Sequence, residues 1–272
     1  MKKFLALILA IIMVLCCFAA CGEKTEADDT SAENGEKNDK VFTMATNASF
    51  PPYEFVDDNG GFAGIDVEVA GKIAEKLGME LQIVDTEFGS IIGGVEAGKY
   101  TVGMAGMTVT EERKKSVNFS DTYAIGVQAI IVKADSEYTS IDDFFTEDGA
   151  VKDGVKVGVQ ADTTGDIYCS DTVEKGGFGE ENVVRYKTGN DAVQALASGK
   201  VSVVIIDNEP AKSYVAATEG LKILEGAFTE EEYAICVAKE NTELLENINK
   251  ALAELKADGT LDDIVEKYIP SK

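Results

Sequence analysis

The chain has 272 residues with 49 acidic and 25 basic side chains, which gives a formal net charge of −24. So acidic a surface argues against nucleic acid and anionic lipid as partners. No histidine occurs in the sequence, which excludes Ser-His-Asp and Cys-His catalysis and the usual zinc sites. Only Cys169 and Cys236 follow the N-terminal region, in no metal-like spacing, so we expect neither a disulfide framework nor a metal or cofactor.

The N-terminus predicts export. Two lysines precede an apolar run at residues 4–15, which is shorter than the roughly 20 residues of a membrane-spanning helix. Cys21 follows two alanines and resembles the lipobox cysteine of bacterial lipoproteins, although Phe18 stands where that pattern usually has leucine. We expect a signal peptide at residues 1–21 and an extracytoplasmic protein attached to the membrane by a lipid at Cys21. An unmodified cysteine in an ordinary signal peptide is the alternative.

The following segments predict a tether and then an α/β unit. Residues 22–40 contain no large apolar side chain and cannot bury enough surface to offset the entropy of ordering, so we expect a flexible tether. After the tether, apolar runs alternate with helical periodicity, with strands at 41–46, 81–84 and 102–105 and helices at 66–77 and 90–97. This βαβαβ order predicts a parallel sheet covered by helices.

The same order begins again in the second half of the chain. Strands are expected at 155–159, 183–186 and 201–206, with helices after Thr164 and at 191–197. Residues 97–106 also align with 198–207 as a faint internal repeat, in which Gly106 and Asp207 lie at matching strand ends. The alternative is that both segments merely share helix-Gly-Lys-strand, which is a common αβ connection. Ligands of open α/β sheets bind beyond the carboxyl ends of the strands, so both positions would face one cleft.

Two further apolar runs predict strands that cross between the lobes. They cover residues 123–132 and 233–237, and the second precedes helices at 242–257 and 261–268. The last helices would then return to the first lobe. We therefore expect an α/β fold of two doubly wound sheets joined by two hinge strands, with lobe 1 at 41–125 plus 236–272 and lobe 2 at 126–235.

Aromatic and cationic side chains follow the strands of lobe 1. Phe50 and Tyr53 leave the first strand and would line the crevice, or else belong to a proline-rich surface turn with a core aromatic; Phe88 leaves the second strand with the same two readings. Thr110 is a good helix cap, but Arg113 does not suit the positive end of a helix. Arg113 could therefore hold an anion, or it is an exposed member of a charged run.

In lobe 2, residues 160–165 follow a strand and open a helix, and so offer N–H groups and hydroxyls to a carboxylate. Asp207 ends an apolar strand and is either a helix cap or the acceptor for an ammonium group. An arginine on one side and an aspartate on the other, between aromatic walls, suit a zwitterion. An α-amino acid is the simplest zwitterion.

Four motifs carry a family resemblance that covers residues 41–272. They are Gly-Ile-Asp-Val-Glu-Val-Ala from Gly64, Ala-Gly-Met-Thr-Val-Thr-Glu-Glu-Arg-Lys-Lys from Ala105, Val-Asn-Phe-Ser-Asp from Val117, and Ile-Asp-Asn from Ile206. The chain resembles the family 3, polar amino-acid solute-binding proteins of bacterial ABC importers. That resemblance implies a type II, periplasmic-binding-protein-like clamshell and a non-enzymatic role. It also implies a free amino acid, a membrane permease and its ATPase as partners, and we expect a monomer.

The resemblance also implies roles for individual residues. Arg113 would grip the ligand α-carboxylate, and Asp207 would accept the α-ammonium group. The other positions expected at the ligand are Asn47, Phe50, Phe88, Ala105, Gly106, Thr108, Gln160, Thr163 and Thr164. Within that set, the aromatic pair would enclose the ligand side chain and the two amides would select it. Asp162 stands where the family commonly has glycine, which puts the loop geometry around Thr163 in doubt.

The predicted selector positions favour a neutral ligand. Asn47, Gln160 and Ile206 are uncharged, so a charged side chain would be desolvated there without compensation. We expect glutamine first and cystine next. A dehydratase acting on a prephenate-like substrate with this same fold is the alternative from another class, and a sensory lipoprotein without an importer is a second alternative.

Overall fold

The computed structural model describes residues 40–226 and 229–270. The predicted signal peptide, the lipidation site Cys21 and nearly all of the tether lie outside the described residues. In the described parts, no helix combines the length and apolar character that a membrane crossing requires.

The first half of the chain confirms the predicted βαβαβ order. Its elements are β1 Val41–Thr46, β2 Ser49–Phe50, β3 Glu54–Val56, β4 Phe62–Ala63, α1 Ile65–Leu77, β5 Glu80–Asp85, α2 Ile91–Glu96, β6 Val102–Gly103, α3 Arg113–Ser116 and β7 Val117–Phe119. Strand β1 pairs in parallel with both β5 and β6. Helix α1 buries Ile65, Val69 and Ile73 on one face and ends at Gly78, whose φ of 66° is the left-handed conformation that glycine adopts readily.

The second half repeats that order and then adds the C-terminal elements. These are β8 Ala124–Lys133, β9 Val157–Gln160, α4 Thr164–Ser170, β10 Val183–Tyr186, α5 Gly189–Ala197, β11 Val203–Asp207, α6 Asn208–Ala217, β12 Leu221–Ile223, β13 Glu230–Tyr233, β14 Cys236–Ala238, α7 Thr242–Ala257 and α8 Thr260–Tyr268. Strand β9 pairs in parallel with β10 and β11, as predicted.

Two sheets define the two lobes. The first has the order β5-β1-β6-β14-β7 and forms lobe 1; the second has the order β10-β9-β11-β8-β12, with β13 on β8, and forms lobe 2. Strand β14 comes from the end of the chain and lies antiparallel between β6 and β7. The fold is therefore the two-lobed α/β architecture that the sequence predicted. The pairing of β13 with β8 and of β14 with lobe 1 supports the predicted boundaries at 125/126 and 235/236, which stay a prediction.

Some predicted elements are shorter than expected. The third strand ends at Gly103 rather than at residue 105, because the next residues turn into a loop in which Gly106 has a φ of 52°. The predicted helix at 90–97 is a 3₁₀ turn at Phe88–Ser90 followed by α2. Both differences place loop backbone, with polar groups outside the sheet ladder, at the carboxyl edge of the lobe 1 sheet.

Candidate functional site

The carboxyl ends of the strands of both lobes face one enclosed cavity. Its walls contain Asn47, Phe50, Glu54, Phe88, Ala105, Gly106, Thr108, Arg113, Gln160, Thr163, Thr164 and Asp207. The structure therefore brings together all eleven residues that the sequence analysis assigned to the ligand. It adds one that the analysis missed, Glu54.

The two lobes touch each other across this cavity. Gln160 Nε2 donates to Asn47 Oδ1 at 2.9 Å, and Arg113 Nη2 donates to the Asp162 carbonyl oxygen at 3.0 Å. The enclosed space measures about 10 Å³, which is the room that one water molecule takes. The cleft is closed in this structure, and an amino acid can enter only after the lobes separate.

Arg113 is held inside the protein rather than in solvent. Only 8% of the residue is exposed, although Lys114 and Lys115 beside it are exposed, so the alternative of a surface arginine is wrong. The Thr110 hydroxyl accepts the Arg113 N–H at 3.1 Å, although Glu112, and not the predicted Thr110, occupies the N-cap position of α3. The guanidinium donates to the Thr108 carbonyl oxygen at 2.7 Å and lies over the Phe88 ring at 5.2 Å. Burial lowers the pKa of Arg113, and the nearby Glu231 carboxylate opposes that shift.

Asp207 is the corresponding buried acid at the end of β11. Its side chain makes no capping hydrogen bond to α6, so the helix-cap alternative is not realised. The Tyr233 hydroxyl donates to Asp207 instead. Burial raises the pKa of the Asp207 carboxyl, and the negative charge of Glu231 raises it further. Like charges placed this close favour a cationic group at the site, since it would offset both.

The aromatic residues of the proline-rich turn divide between the two predicted roles. Phe50 lines the cavity and lies against Gly106, where an added Cβ would come within 3.1 Å of its ring. Tyr53 belongs to the core, because it is 3% exposed and packs edge-on against Tyr233 at a centroid distance of 5.1 Å. Both the crevice reading and the core reading of this turn are therefore correct, each for one of its aromatic rings.

The loop before Thr163 contains Asp162 at a position where the family commonly has glycine. Asp162 has a φ of 65°, which is left-handed and which aspartate tolerates better than most side chains. Its N–H donates to Asp166 Oδ2 at 3.0 Å, and Thr163 accepts the Asp166 N–H as the cap of α4. Asp162 therefore adopts a left-handed conformation at the entry to α4, whose first N–H groups have no acceptor within the helix.

Glu54 lies in the cavity wall because a short hairpin turns the chain back. Strands β2 and β3 pair so that Phe50 stands opposite Glu54. Glu54 is 1% exposed, and its Oε2 has no hydrogen-bond partner among the described residues. Burial and the neighbouring Asp66 raise the pKa of Glu54 well above its usual range. Asp66 itself accepts the Gly106 N–H at 2.8 Å and the Tyr123 hydroxyl.

A second acid that the sequence analysis missed is Glu231, on β13. It is 4% exposed and lies behind the cavity wall. Its Oε2 accepts hydrogen bonds from Thr108 Oγ1 at 2.7 Å, Thr164 Oγ1 at 2.9 Å and Gln128 Nε2 at 3.3 Å. The first two donors belong to the cavity wall, so Glu231 acts on the site through them.

Neither cysteine of the described residues belongs to this site. Cys169 and Cys236 are free thiols in the core, and burial raises the pKa of both, to about 12 for Cys236. Within residues 40–226 and 229–270, no group of three or more cysteine or acidic side chains is arranged to hold a metal ion.

Comparison with known proteins identifies the fold and the kind of protein. Residues 42–271 match the family model of bacterial extracellular solute-binding proteins, family 3. The chain is 30% identical over 270 residues to the arginine-binding extracellular protein of Bacillus subtilis (strain 168), covering 98% of each chain. It is 27% identical over 260 residues to the L-cystine-binding protein of Escherichia coli (strain K12), covering 94% of this chain and 92% of that protein.

Solved structures agree with the sequence relatives. An ancestral arginine-binding protein bound to glutamine has 40% identity and a TM-score of 0.75, covering 85% of this chain and 99% of that chain. An ancestral amino acid-binding protein, described as a precursor of cyclohexadienyl dehydratase, has 31% identity and a TM-score of 0.75, covering 84% and 95%. Amino-acid binding is common to these relatives, whereas the amino acid differs among them.

Proposed function

Because the chain belongs to the bacterial extracellular solute-binding proteins of family 3, we propose that it captures a free amino acid and delivers it to an ABC permease. One observation carries this proposal: a buried arginine and a buried aspartate line the same closed cavity, together with two aromatic rings. Arg113 is suited to a carboxylate and Asp207 to an ammonium group. A zwitterion supplies both charges, and closing the lobes around it would cover the ligand with contacts from each.

The free donors of Arg113 support its role at the α-carboxylate. A guanidinium carries five N–H donors, and two of its nitrogens here donate to the carbonyl oxygens of Thr108 and Asp162. Donors remain for a ligand carboxylate, with the first N–H groups of α4 at Thr163 and Thr164 on the facing wall. Asp207, the Gly106 carbonyl and the Thr108 hydroxyl would then accept from the α-ammonium group.

The cavity wall also suggests what kind of side chain the ligand has. Gln160 Oε1 and Glu54 Oε2 are both buried, and neither has a hydrogen-bond partner among the described residues. Such acceptors are costly to bury unless a donor reaches them. A ligand whose side chain ends in N–H groups would satisfy both oxygens.

A neutral polar side chain is the first candidate. The amides of Asn47 and Gln160 already bond to each other across the cleft and could exchange hydrogen bonds with the amide of glutamine. Burial and the neighbouring Asp66 raise the pKa of Glu54, which favours the neutral form of its carboxyl and fits an uncharged ligand. Cystine is the next candidate of this class.

A cationic side chain such as that of arginine is the second candidate, and Glu54 is the observation that favours it. Four buried acids, Glu54, Asp66, Asp207 and Glu231, surround the cavity, whereas Arg113 is the one buried cation that lines it within the described residues. A guanidinium would release the proton of Glu54 and pair with the resulting carboxylate. Glu54 is not among the selector positions from which the sequence predicts a neutral ligand.

Calorimetry of ligand-stripped protein with L-glutamine, L-cystine, L-arginine and L-glutamate tests the proposal. Glu54→Gln separates the two candidates, because it replaces the buried carboxyl of that wall with a neutral amide of nearly the same shape. If the ligand is cationic, arginine affinity falls at least about tenfold in this variant. If the ligand is neutral, glutamine affinity stays within about threefold. Absence of any amino-acid binding would refute the proposal as a whole.

The dehydratase alternative has one feature in its favour and can be tested directly. Acid-catalysed loss of water requires a carboxyl that can give up a proton in the cavity, and the raised pKa of Glu54 suits that role. The named relatives are binding proteins, and the neighbour described as a precursor of such an enzyme is itself an ancestral amino acid-binding protein. We expect no absorbance change when the protein is incubated with a cyclohexadienyl substrate; steady product formation that Glu54→Gln abolishes would favour the enzyme.

We further propose that a lipid at Cys21 holds the protein at the outer face of the cell membrane. The support is sequence alone: the short apolar run, the small residues before Cys21 and the polar segment after it. An acyl anchor would keep the protein near its permease at high local concentration. If the same anchored protein were a sensor, no permease would accept its ligand. Loss of the permease encoded next to it would then leave uptake of the ligand unchanged, whereas reduced uptake would favour the importer.

A further inference from the structure

We infer that Glu231 is a positioning residue of the amino-acid site, because its carboxylate orients two cavity hydroxyls and ties the two lobes together when they close. The inference rests on the proposed function, since Thr108 and Thr164 are predicted ligand contacts. Nothing in the sequence patterns or the family motifs assigned a role to Glu231.

Both threonine hydroxyls donate their hydrogen bonds toward Glu231. An ionised carboxylate only accepts, so the hydroxyls of Thr108 and Thr164 must both donate their protons to Glu231 Oε2. Each hydroxyl then has only lone pairs left for a ligand. Thr108 becomes an acceptor suited to the α-ammonium group, and Thr164 can serve a ligand carboxylate only through its backbone N–H.

The two threonines that Glu231 holds belong to different lobes. Thr108 follows β6 of lobe 1, whereas Thr164 begins α4 of lobe 2. Glu231 lies between them on β13, opposite Gly126 at the start of β8. Opening of the cleft therefore separates at least one hydroxyl from the carboxylate, and closing restores both contacts.

The negative charge of Glu231 also acts on Arg113. Glu231 is the acid that most strongly supports the charge of Arg113 against its burial. Its Oε2 accepts the three hydrogen bonds described above, and the Tyr168 hydroxyl also bonds to the Glu231 side chain. A neutral amide of the same shape would keep the packing and lose the charge-assisted part of both hydroxyl bonds.

A distance measurement without any amino acid tests the tie between the lobes. Spin labels carried by non-natural residues replace Lys72 on α1 and Lys212 on α6, whose side chains are 49% and 53% exposed. Ligand-stripped full-length protein should populate a short interlobe distance. In Glu231→Gln the ratio of closed to open molecules should fall about tenfold, which is the difference between charge-assisted and neutral hydrogen bonds. Glu232→Gln, an exposed neighbour on the same strand, makes the same change of charge and should behave as the parent.

Affinity in a double-mutant cycle tests the positioning role. L-arginine and L-glutamine are both titrated, and the tighter ligand is used. Glu231→Gln should weaken binding about tenfold in the parent but no more than about threefold in a background that carries Thr108→Val and Thr164→Val, because both hydroxyl bonds are already lost there. A merely structural role would give the same loss in both backgrounds.

Identical distance distributions in Glu231→Gln, Glu232→Gln and the parent would overturn the inference, even if amino acids bind. Absence of binding by any amino acid would instead refute the proposed function. The distance measurement would still decide whether Glu231 holds the two lobes together. If Glu231→Gln does not fold, a variant with Thr108→Val and Thr164→Val removes both hydroxyl bonds from the other side. An unchanged distance distribution in that variant would overturn the inference equally.

Discussion

Replacement of Arg113 by alanine removes the cation to which the ligand α-carboxylate is predicted to bind. Arg113 is 8% exposed, and nearby Asp207 and Glu231 are both buried acids. A ligand carboxylate placed among them without Arg113 would be a buried charge with no partner, which costs roughly 3 to 5 kcal/mol. That free energy corresponds to a loss of affinity of about a hundredfold to several thousandfold.

The assay for this variant is calorimetry combined with thermal unfolding. Arg113→Ala should retain the circular dichroism of the parent and lose the increase in melting temperature that the ligand produces. Arg113→Lys keeps the charge but not the paired donors, so its affinity should lie between the two. Lys114→Ala is the matched control, since Lys114 adjoins Arg113 and pairs with Glu111 at the surface. Arg113→Ala with affinity within threefold of the parent would show that this arginine is not the carboxylate site.

The remaining predictions concern closure, the anchor and pH. Small-angle scattering should show a smaller radius of gyration with ligand than without, because ligand shifts the lobes toward the closed form; equal radii at saturation would count against closure. Cys21→Ser should release or misprocess the protein, whereas Cys169→Ser, which changes a buried free thiol, should leave it at the membrane. Burial raises the pKa of Asp66 from 3.8 to about 6, so the stability it contributes is complete below about pH 4 and is lost as pH rises past 6. Chemical denaturation of the ligand-free protein should therefore show that the free energy of unfolding of the parent falls by roughly 3 kcal/mol relative to that of Asp66→Asn between about pH 4 and 7. A difference between the two unfolding free energies that does not change with pH would refute this.

The sequence predicted best where a long pattern repeats. Helix α7 has the predicted bounds, Thr242–Ala257, because its apolar face recurs over four turns. Strand β8 covers Ala124–Lys133, close to the predicted 123–132, since a mostly apolar run rich in isoleucine and valine favours a buried strand. The parallel order of both sheets followed from the alternation of strands and helices.

The residues that sequence reasoning missed depend on contacts that no local pattern shows. Glu54 reaches the cavity only because β2 and β3 form a hairpin, and a segment with two prolines indicates a loop without indicating where it points. Glu231 lies in the run Glu230-Glu231-Glu232, which is typical of a charged surface. Strand alternation turns its middle member inward, on the same side as Tyr233, and that alternation was the available signal.

The measurement that tests the central claim most directly is a thermal-shift screen of the ligand-stripped protein against all common amino acids and cystine. A ligand present at a thousandfold excess over Kd stabilises the folded state by about 4 kcal/mol. One amino acid or a few related ones, with glutamine, cystine and arginine foremost, should raise the melting temperature by several degrees, and Arg113→Ala and Asp207→Ala should each abolish that shift. A screen in which no amino acid changes the melting temperature, or in which the shift persists in both variants, would contradict the proposal that this cavity captures a free amino acid.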